Sequence, residues 1–339
     1  MKKLRVLALM HAELVPPEDV SGVDLATVDW KTEFNVVSHL RAAGQEVQPL
    51  GTGDDLRAIR TVIEEWKPHI AFNLLEHFHG VPIFDQNVVS YLELLHMPYT
   101  GCNPRGLMLA RDKALSKKLL AYHRIPVPEF VVFPIGRAVR RPKRLNFPLI
   151  VKSLTDEASI GISQASVVDD DNKLAERVRF IHQTNGTDAI VERYIDGREL
   201  YVGLLGNDRV QVFPIWEMHF TKMPEEARCI ATDRVKWSST YQEKHGITTS
   251  AASLPEGAVQ AIQRLCTRVY RTLGLSGYAR IDLRMDEQGR AYVLEANPNP
   301  QLAYGEDFAA SAELAGISYE ALLQRIVNLG LSRRPAWSA

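Results

Sequence analysis

Long apolar runs, paired cysteines and an excess of either charge are missing from this chain, and each absence removes a class of protein. No stretch approaches the ~20 apolar residues a helix needs to cross a bilayer, so no membrane partner is expected. Cysteine occurs only at 102, 229 and 266, odd in number and scattered, which argues against a disulfide framework or a zinc site. With 40 basic and 41 acidic residues the net charge is −1, too little for broad attachment to nucleic acid or an anionic membrane. Internal repeats, low-complexity tracts, coiled-coil heptads and the G-x-x-x-x-G-K-[ST] phosphate loop are also absent. The start, MKKLRVLALMHAEL, has two lysines and a short apolar run, but Arg5 and His11 interrupt it. It reads as a first β-strand rather than a signal peptide, and a cytoplasmic protein is expected.

What is present describes a globular chain. Its 339 residues, 45% apolar and 24% charged, suffice for two or three domains. Up to about residue 110, strand and helix signals alternate. Strands are expected at Arg5–Met10, Val47–Leu50 and Ile70–Leu74, and helices at Asp29–Ala43, Leu56–Trp66 and Asp85–Leu95, the last with Asp85 as N-cap. This βαβ rhythm predicts a parallel sheet with any ligand at the carboxyl ends of its strands. His11–Glu13 and Glu76–Gly80 follow such ends and are expected to face substrate, although His77 and His79 alone read as ordinary loop histidines.

A helix from Asp112 to about Tyr122 comes next. The run Gly136–Pro148, with five basic residues and two prolines, reads as a solvated connector. A compact α/β segment follows: strands Leu149–Lys152, Ala165–Val168 and Ala189–Tyr194, and helix Asp170–Gln183. Its loop Ser153–Gly161 (SLTDEASIG) is either a phosphate cradle with Lys152 at its base or a plain hairpin loop. Beyond Arg198 the pattern is α+β: strands Glu199–Leu204 and Val210–Ile215, helix Pro255–Leu273, a hairpin, and a closing helix Phe308–Leu329. The polar stretch Met218–Ser250 is too long for a passive connection and reads as a lid.

The hairpin gathers the most chemistry. In YARIDLRMDEQGRAYVLEANPNPQ (278–301), Gly289 suits the turn, and strand alternation puts Arg280, Asp282 and Arg284 on one face. Glu295 and Asn297 share a face of the return strand, which brings Glu295 roughly diagonal to Asp282. Two carboxylates and an amide oxygen are hard ligands suited to Mg²⁺ at about 2.1 Å; the alternative is a charged, solvated hairpin face.

These pieces in this order resemble the ATP-grasp superfamily and, within it, the D-alanine–D-alanine ligases. The resemblance runs from about Asn73 to Asn328 and rests on LELLHMPYTG, RDKALSKKLL, LIVKS…SIGIS, VERYIDGREL, the hairpin motif and the terminal LLQRI. It implies a mixed α/β and α+β, three-domain architecture: a Rossmann-like domain (1–111), a central lobe (112–195) and a C-terminal lobe (196–333) that clasp ATP. Carried over, Lys113 and Lys152 would bind phosphates, and Glu192, Arg193 and Ile195 would read adenine. Leu294 would also contact the nucleotide, and Glu199 would hold the ribose. Ser159 would cover the phosphates, Lys236 would reach them from the lid, and Arg280 would stabilise the phosphoryl group in transfer. Asp282, Glu295 and Asn297 would bind two Mg²⁺, or Mn²⁺ in their place. The implied reaction is ATP-dependent joining of a small carboxylate and an amine through an acylphosphate, with a homodimer compatible with the family.

Departures from the family pattern fall on the substrate side. Glu76-His77-Phe78-His79-Gly80-Val81-Pro82 replaces a glycine-rich acidic motif, Ala158 replaces a substrate-orienting serine, and Trp237 replaces its tyrosine partner. Gln301 stands for a glycine, and Glu306-Asp307 for a serine-leucine pair that receives a carboxylate. Two acids there would repel a second amino acid's carboxylate, so a product other than D-alanyl-D-alanine is expected. Glu13, Glu76, His77, Trp237, Gln301, Glu306 and Asp307 are the candidate substrate residues. A genuine D-alanine–D-alanine ligase and an inactive ATP-binding regulator are the competing readings.

Overall fold

Strand β1 (Arg5–His11) is buried on both faces from Val6 to Met10, as a central parallel strand must be. A computed structural model of the chain describes residues 3–25, 27–156 and 161–333. Helix α1 (Lys31–Ala42), β2 (Glu46–Thr52), α2 (Arg57–Trp66) and β3 (Ile70–Asn73) follow, and the strands pair in parallel as β2–β1–β3. Two helices close this part, α3 (Asp85–Leu94) and α4 (Pro104–Arg111). Asp85 is not the N-cap of α3. It is the first helical residue after Phe84, and its buried carboxylate accepts from the Arg111 guanidinium. An interior cation satisfies that acid directly. Helix α4 was not anticipated, although Pro104 at its first turn and the Asn103 side chain, which accepts from the Gly106 N–H at 2.9 Å, are ordinary start signals.

The middle of the chain forms a four-stranded antiparallel sheet. Asp112 caps α5 (Lys113–Tyr122), its carboxylate accepting from the N–H groups of Ala114 and Leu115 at 2.9 Å. Then come β4 (Phe130–Phe133), β5 (Leu149–Ser153), β6 (Val167–Val168), α6 (Asp171–Thr184) and β7 (Ala189–Arg193), in sheet order β4–β7–β5–β6. Leu174, Val178 and Ile181 of α6 pack on Leu149, Val151 and Val191. The basic stretch connects β4 to β5, with Arg137 and Arg140 exposed and Arg141 held by Asp171 at 2.8 Å.

A five-stranded antiparallel sheet completes the fold, ordered β10–β9–β8–β11–β12. It contains β8 (Arg198–Gly206), β9 (Val210–Phe220), α7 (Asp233–Trp237), α8 (Ser239–His245), β10 (Ile247–Ala251), α9 (Glu256–Thr272), β11 (Tyr278–Met285) and β12 (Ala291–Pro298). The polar stretch read as one loop therefore holds the ends of β9 and β10 and two short helices. Met218, on its strand part, packs with Tyr201, Val235 and Ile247, which ties the stretch to the sheet. The expected closing helix is two, α10 (Asp307–Leu314) and α11 (Tyr319–Ser332), separated by Gly316 at φ +79° and restarted by the Ser318 cap.

Helix α11 lies under the N-terminal sheet: Leu322, Leu323, Ile326 and Val327 share a core with Val6, Ala8, Ile70 and Phe72. The first and last parts of the chain are thereby fixed to each other. Gly101 closes the same seam at φ +90°, where a Cβ would stand 2.4 Å from Oδ1 of Asn299. That oxygen accepts from the Cys102 N–H at 2.7 Å. Among the described residues, no helix is long and apolar enough to cross a membrane.

Candidate active site

The site is built on the β11–β12 pair. Arg280 lies opposite Asn297, and Asp282 lies directly opposite Glu295, not diagonal to it. The difference is a bulge: Asp282 pairs with Glu295 but Leu283 pairs with Val293, leaving Leu294 extra. Val293 and Ala296 can then both turn to the core while Leu294 and Glu295 both line a cleft. Strict alternation could not do this.

The cleft, about 780 Å³ and open to solvent, lies between the four-stranded and five-stranded sheets. Lys152, Glu192 and the Arg193–Ile195 connection line one side. Glu199, Asp282, Arg284, Leu294 and Glu295 line the other, with Lys113 at the start of α5 and Lys236 on α7. The structure thus brings together Lys113, Lys152, Glu192, Arg193, Ile195, Glu199, Lys236, Asp282, Leu294 and Glu295. Arg280 joins them through Asp282, to which it donates twice, at 2.7 and 2.9 Å, while its guanidinium lies over the Tyr201 ring. Asn297 is half-buried beside them, and its Nδ2 has no hydrogen-bond partner among the described residues. Ser159 lies outside the described residues. Trp237 ends α7, and its side chain lies outside the description.

Charge is arranged in pairs. Glu192 is buried between Lys117 at 3.4 Å and Lys152 at 3.3 Å. Burial disfavours its charge, but the two lysines outweigh burial and lower its pKa. For Lys117, burial dominates and lowers the pKa, while its ammonium also donates to the Leu294 carbonyl at the bulge. Burial likewise opposes ionisation of Glu295, yet Lys113, Lys236, Lys152 and Arg280 hold it at about 2. Asp282 moves the other way: burial raises it in spite of Arg280. Glu199 accepts from Arg284 at 2.9 Å and from the Tyr201 hydroxyl at 2.9 Å, and Arg284 also donates to the Ile195 carbonyl at 2.8 Å. Lys117 and Arg284 were given no role from sequence, although Lys117 stands four residues after Lys113 on the same helical face.

The remaining candidates gather elsewhere. His11 and His77 stack with ring centroids 3.8 Å apart, and Glu13 brings a carboxylate close enough for the three ligand atoms to lie within 4.8 Å. His11 Nε2 accepts from the Glu76 N–H at 3.1 Å; burial and then His77 lower its pKa to about 4, so its ring is neutral at physiological pH. Glu76 and Gln301 line a second cavity of about 340 Å³ in the seam between the N-terminal and C-terminal sheets. Glu306 and Asp307, expected to repel a second substrate's carboxylate, are both partnered. Lys31 reaches Glu306 at 2.8 Å, and the Thr249 hydroxyl donates to Asp307 at 2.6 Å.

Fold and site together define a two-lobed nucleotide cleft faced by a paired-carboxylate strand couple, with a parallel domain at one side. Residues 119–328 match the family model described as the D-ala D-ala ligase C-terminus. The chain is 31% identical to the D-alanine–D-alanine ligase of Desulforudis audaxviator over 88% of this chain and 92% of that one. It is also 31% identical to the uncharacterised protein y4sG of Sinorhizobium fredii, over 88% and 87%. The crystal structure of the D-alanine–D-alanine ligase of Bacillus anthracis complexed with ATP shares the fold, with a TM-score of 0.74 and 23% identity over 98% of both chains. The chain belongs to the D-alanine–D-alanine ligase family, the ATP-grasp ligases that form carbon–nitrogen bonds with ATP.

Proposed function

We propose that the chain is an ATP- and Mg²⁺-dependent ligase that joins a small, amino-acid-like carboxylate to an amine through an acylphosphate. One observation carries this reading: an ionised Glu295 stands opposite Asp282 within a ring of Lys113, Lys152, Lys236 and Arg280. Phosphoryl transfer needs little covalent help from protein and much positioning of cations where negative charge moves. In this reading Lys113 and Lys152 hold the phosphates, Lys236 approaches them from α7, and Ser159 belongs to the loop that covers them. Arg193 and Ile195 contact adenine beside Glu192, with Leu294 opposite, and Glu199 takes the ribose hydroxyls. Arg280 stabilises the phosphoryl group as it reaches the substrate carboxylate.

The donor set fits magnesium. Asp282, Glu295 and Asn297 offer hard oxygens on adjacent strands, and the low pKa of Glu295 keeps it ready to ligate. Bound there, the metal would neutralise charge on the phosphate oxygens. Domain limits near residues 111 and 195 and a cytoplasmic setting, where ATP is available, go with this proposal.

The two acids at 306 and 307 are a weaker argument against D-alanyl-D-alanine than the sequence suggested, because Lys31 offsets Glu306. Several relatives are named D-alanine–D-alanine ligase, so that dipeptide is the product to test first. The test is incubation with ATP, Mg²⁺ and pooled amines and amino acids, D-alanine alone included, following ADP and new masses. A new amide formed with ADP supports the reading. ATP bound without ADP release under any substrate favours an inactive regulator.

A further inference from the structure

Arg284 has no part in the phosphate or metal chemistry of the cleft, yet it is only 3% exposed and serves four acceptors. Its Nη1 donates to the Tyr194 hydroxyl at 3.0 Å and to the Ile195 carbonyl at 2.8 Å. Its Nη2 donates to the Glu199 carboxylate at 2.9 Å and to the Cys229 carbonyl. These acceptors come from three separate stretches: the connection after β7, the start of β8, and the segment between β9 and α7. A planar guanidinium with five N–H donors in a fixed fork can hold them all, whereas a lysine ammonium offers three donors from a single point.

Glu199 lies directly opposite Arg284 in the β8–β11 pair, and Tyr201 lies opposite Asp282. The Glu199 carboxylate is braced on both sides: Arg284 donates to Oε2 and the Tyr201 hydroxyl to Oε1, each at 2.9 Å. Each oxygen keeps a lone pair beyond its protein donor. A carboxylate held this way can accept from two neighbouring hydroxyls at once. The same guanidinium fixes the Ile195 carbonyl and, through Cys229, the segment whose Ile230 and Ala231 line the cleft. Gln164, before β6, clamps that segment from the four-stranded sheet's side, donating to the Arg228 carbonyl and accepting from its N–H, both at 2.9 Å. We propose that Arg284 is the positioning residue for the nucleoside half of ATP. It holds Glu199, the Ile195 backbone and the 229–231 segment in the arrangement that receives ribose and adenine together. The assignment rests on the reading that puts the ribose at Glu199 and adenine at Ile195.

The probes are ATP, dideoxy-ATP, which lacks both ribose hydroxyls, and inorganic tripolyphosphate, which lacks the nucleoside. Each is titrated by calorimetry into the full-length protein with Mg²⁺. The wild type should bind ATP at least roughly tenfold more tightly than dideoxy-ATP, as hydrogen bonds to a charged acceptor predict. Arg284→Lys should cut that preference to about threefold or less and leave tripolyphosphate affinity unchanged. A merely structural role would weaken all three probes together and keep the preference, and that result overturns the proposal. Tyr201→Phe removes the other brace of Glu199 and spares the guanidinium, so the preference should survive within about threefold. Its loss there would give the orientation of the carboxylate to Tyr201 and overturn the proposal, even where Arg284→Lys does not fold. Equal binding of ATP and dideoxy-ATP by the wild type would fail the ribose reading itself, and the proposal with it.

Discussion

The Glu33 oxygen that has no partner among the described residues makes a stability prediction that needs no substrate. An acid whose pKa rises from 4.5 in the unfolded chain to about 7 in the fold binds its proton more tightly when native. Its contribution to stability is therefore complete below pH 4.5 and disappears as pH rises through 7. At about 1.4 kcal/mol per unit, the whole change is about 3 kcal/mol. Replacement by glutamine keeps the shape and removes the charge. Glu33→Gln should match the wild type within about 1 kcal/mol at pH 5 and exceed it by about 3 kcal/mol at pH 8. For 339 residues unfolding together, with about 2.1 cal/mol/K of entropy per residue, that is a rise in Tm of about 4 °C. Paired thermal and urea melts at pH 5, 6.5 and 8 read it directly. A difference that stays flat with pH, or a variant less stable than wild type at pH 8, refutes the picture of a buried carboxylate whose charge burial disfavours. It would mean that water or a neighbouring group already satisfies Glu33.

Four other perturbations separate the remaining claims. Glu295→Gln should lower turnover by about 10³-fold or more while ATP binding stays measurable by fluorescence titration, and activity that survives would remove the metal assignment. Lys117→Met leaves Glu192 with Lys152 alone in a buried setting and should cost about 3 kcal/mol in urea unfolding; a neutral effect would show that Lys152 suffices. Gly101→Ala places a Cβ 2.4 Å from the Asn299 side chain at φ +90° and should destabilise by at least about 2 kcal/mol. Chelation by EDTA should stop ADP release without changing the far-UV circular dichroism, and turnover that persists in EDTA would contradict a metal-dependent step.

How far the sequence led depends on whether a residue's role is local. Strand and helix periodicity located nearly every element of the N-terminal domain, because burial of β1 on both faces and the amphipathic helices around it write their pattern into consecutive residues. The cleft residues were legible through their motif spacing. Three things were not. The Leu294 bulge changes which side chains face the cleft, and no turn residue or glycine marks it; it follows from the need to bury Val293 and Ala296 while exposing Glu295. The partners of Asp85 and Glu306 come from other helices, Arg111 on α4 and Lys31 on α1, so a cap and a carboxylate-repelling acid were read where ion pairs exist. Glu33 was given no role from sequence; it stands in the first turn of α1, where a carboxylate is ordinary. Only the docking of the C-terminal sheet, clamped at Gly101 and Asn299 and underlaid by α11, closes a cavity over it. The cleft motifs are short-range in sequence, whereas the seam cavity is formed by segments more than 200 residues apart, from Glu33 to Tyr278. Substitution at 33, 76 or 301 should reshape this cavity while leaving the Lys113, Lys152, Asp282 and Glu295 set of the cleft intact.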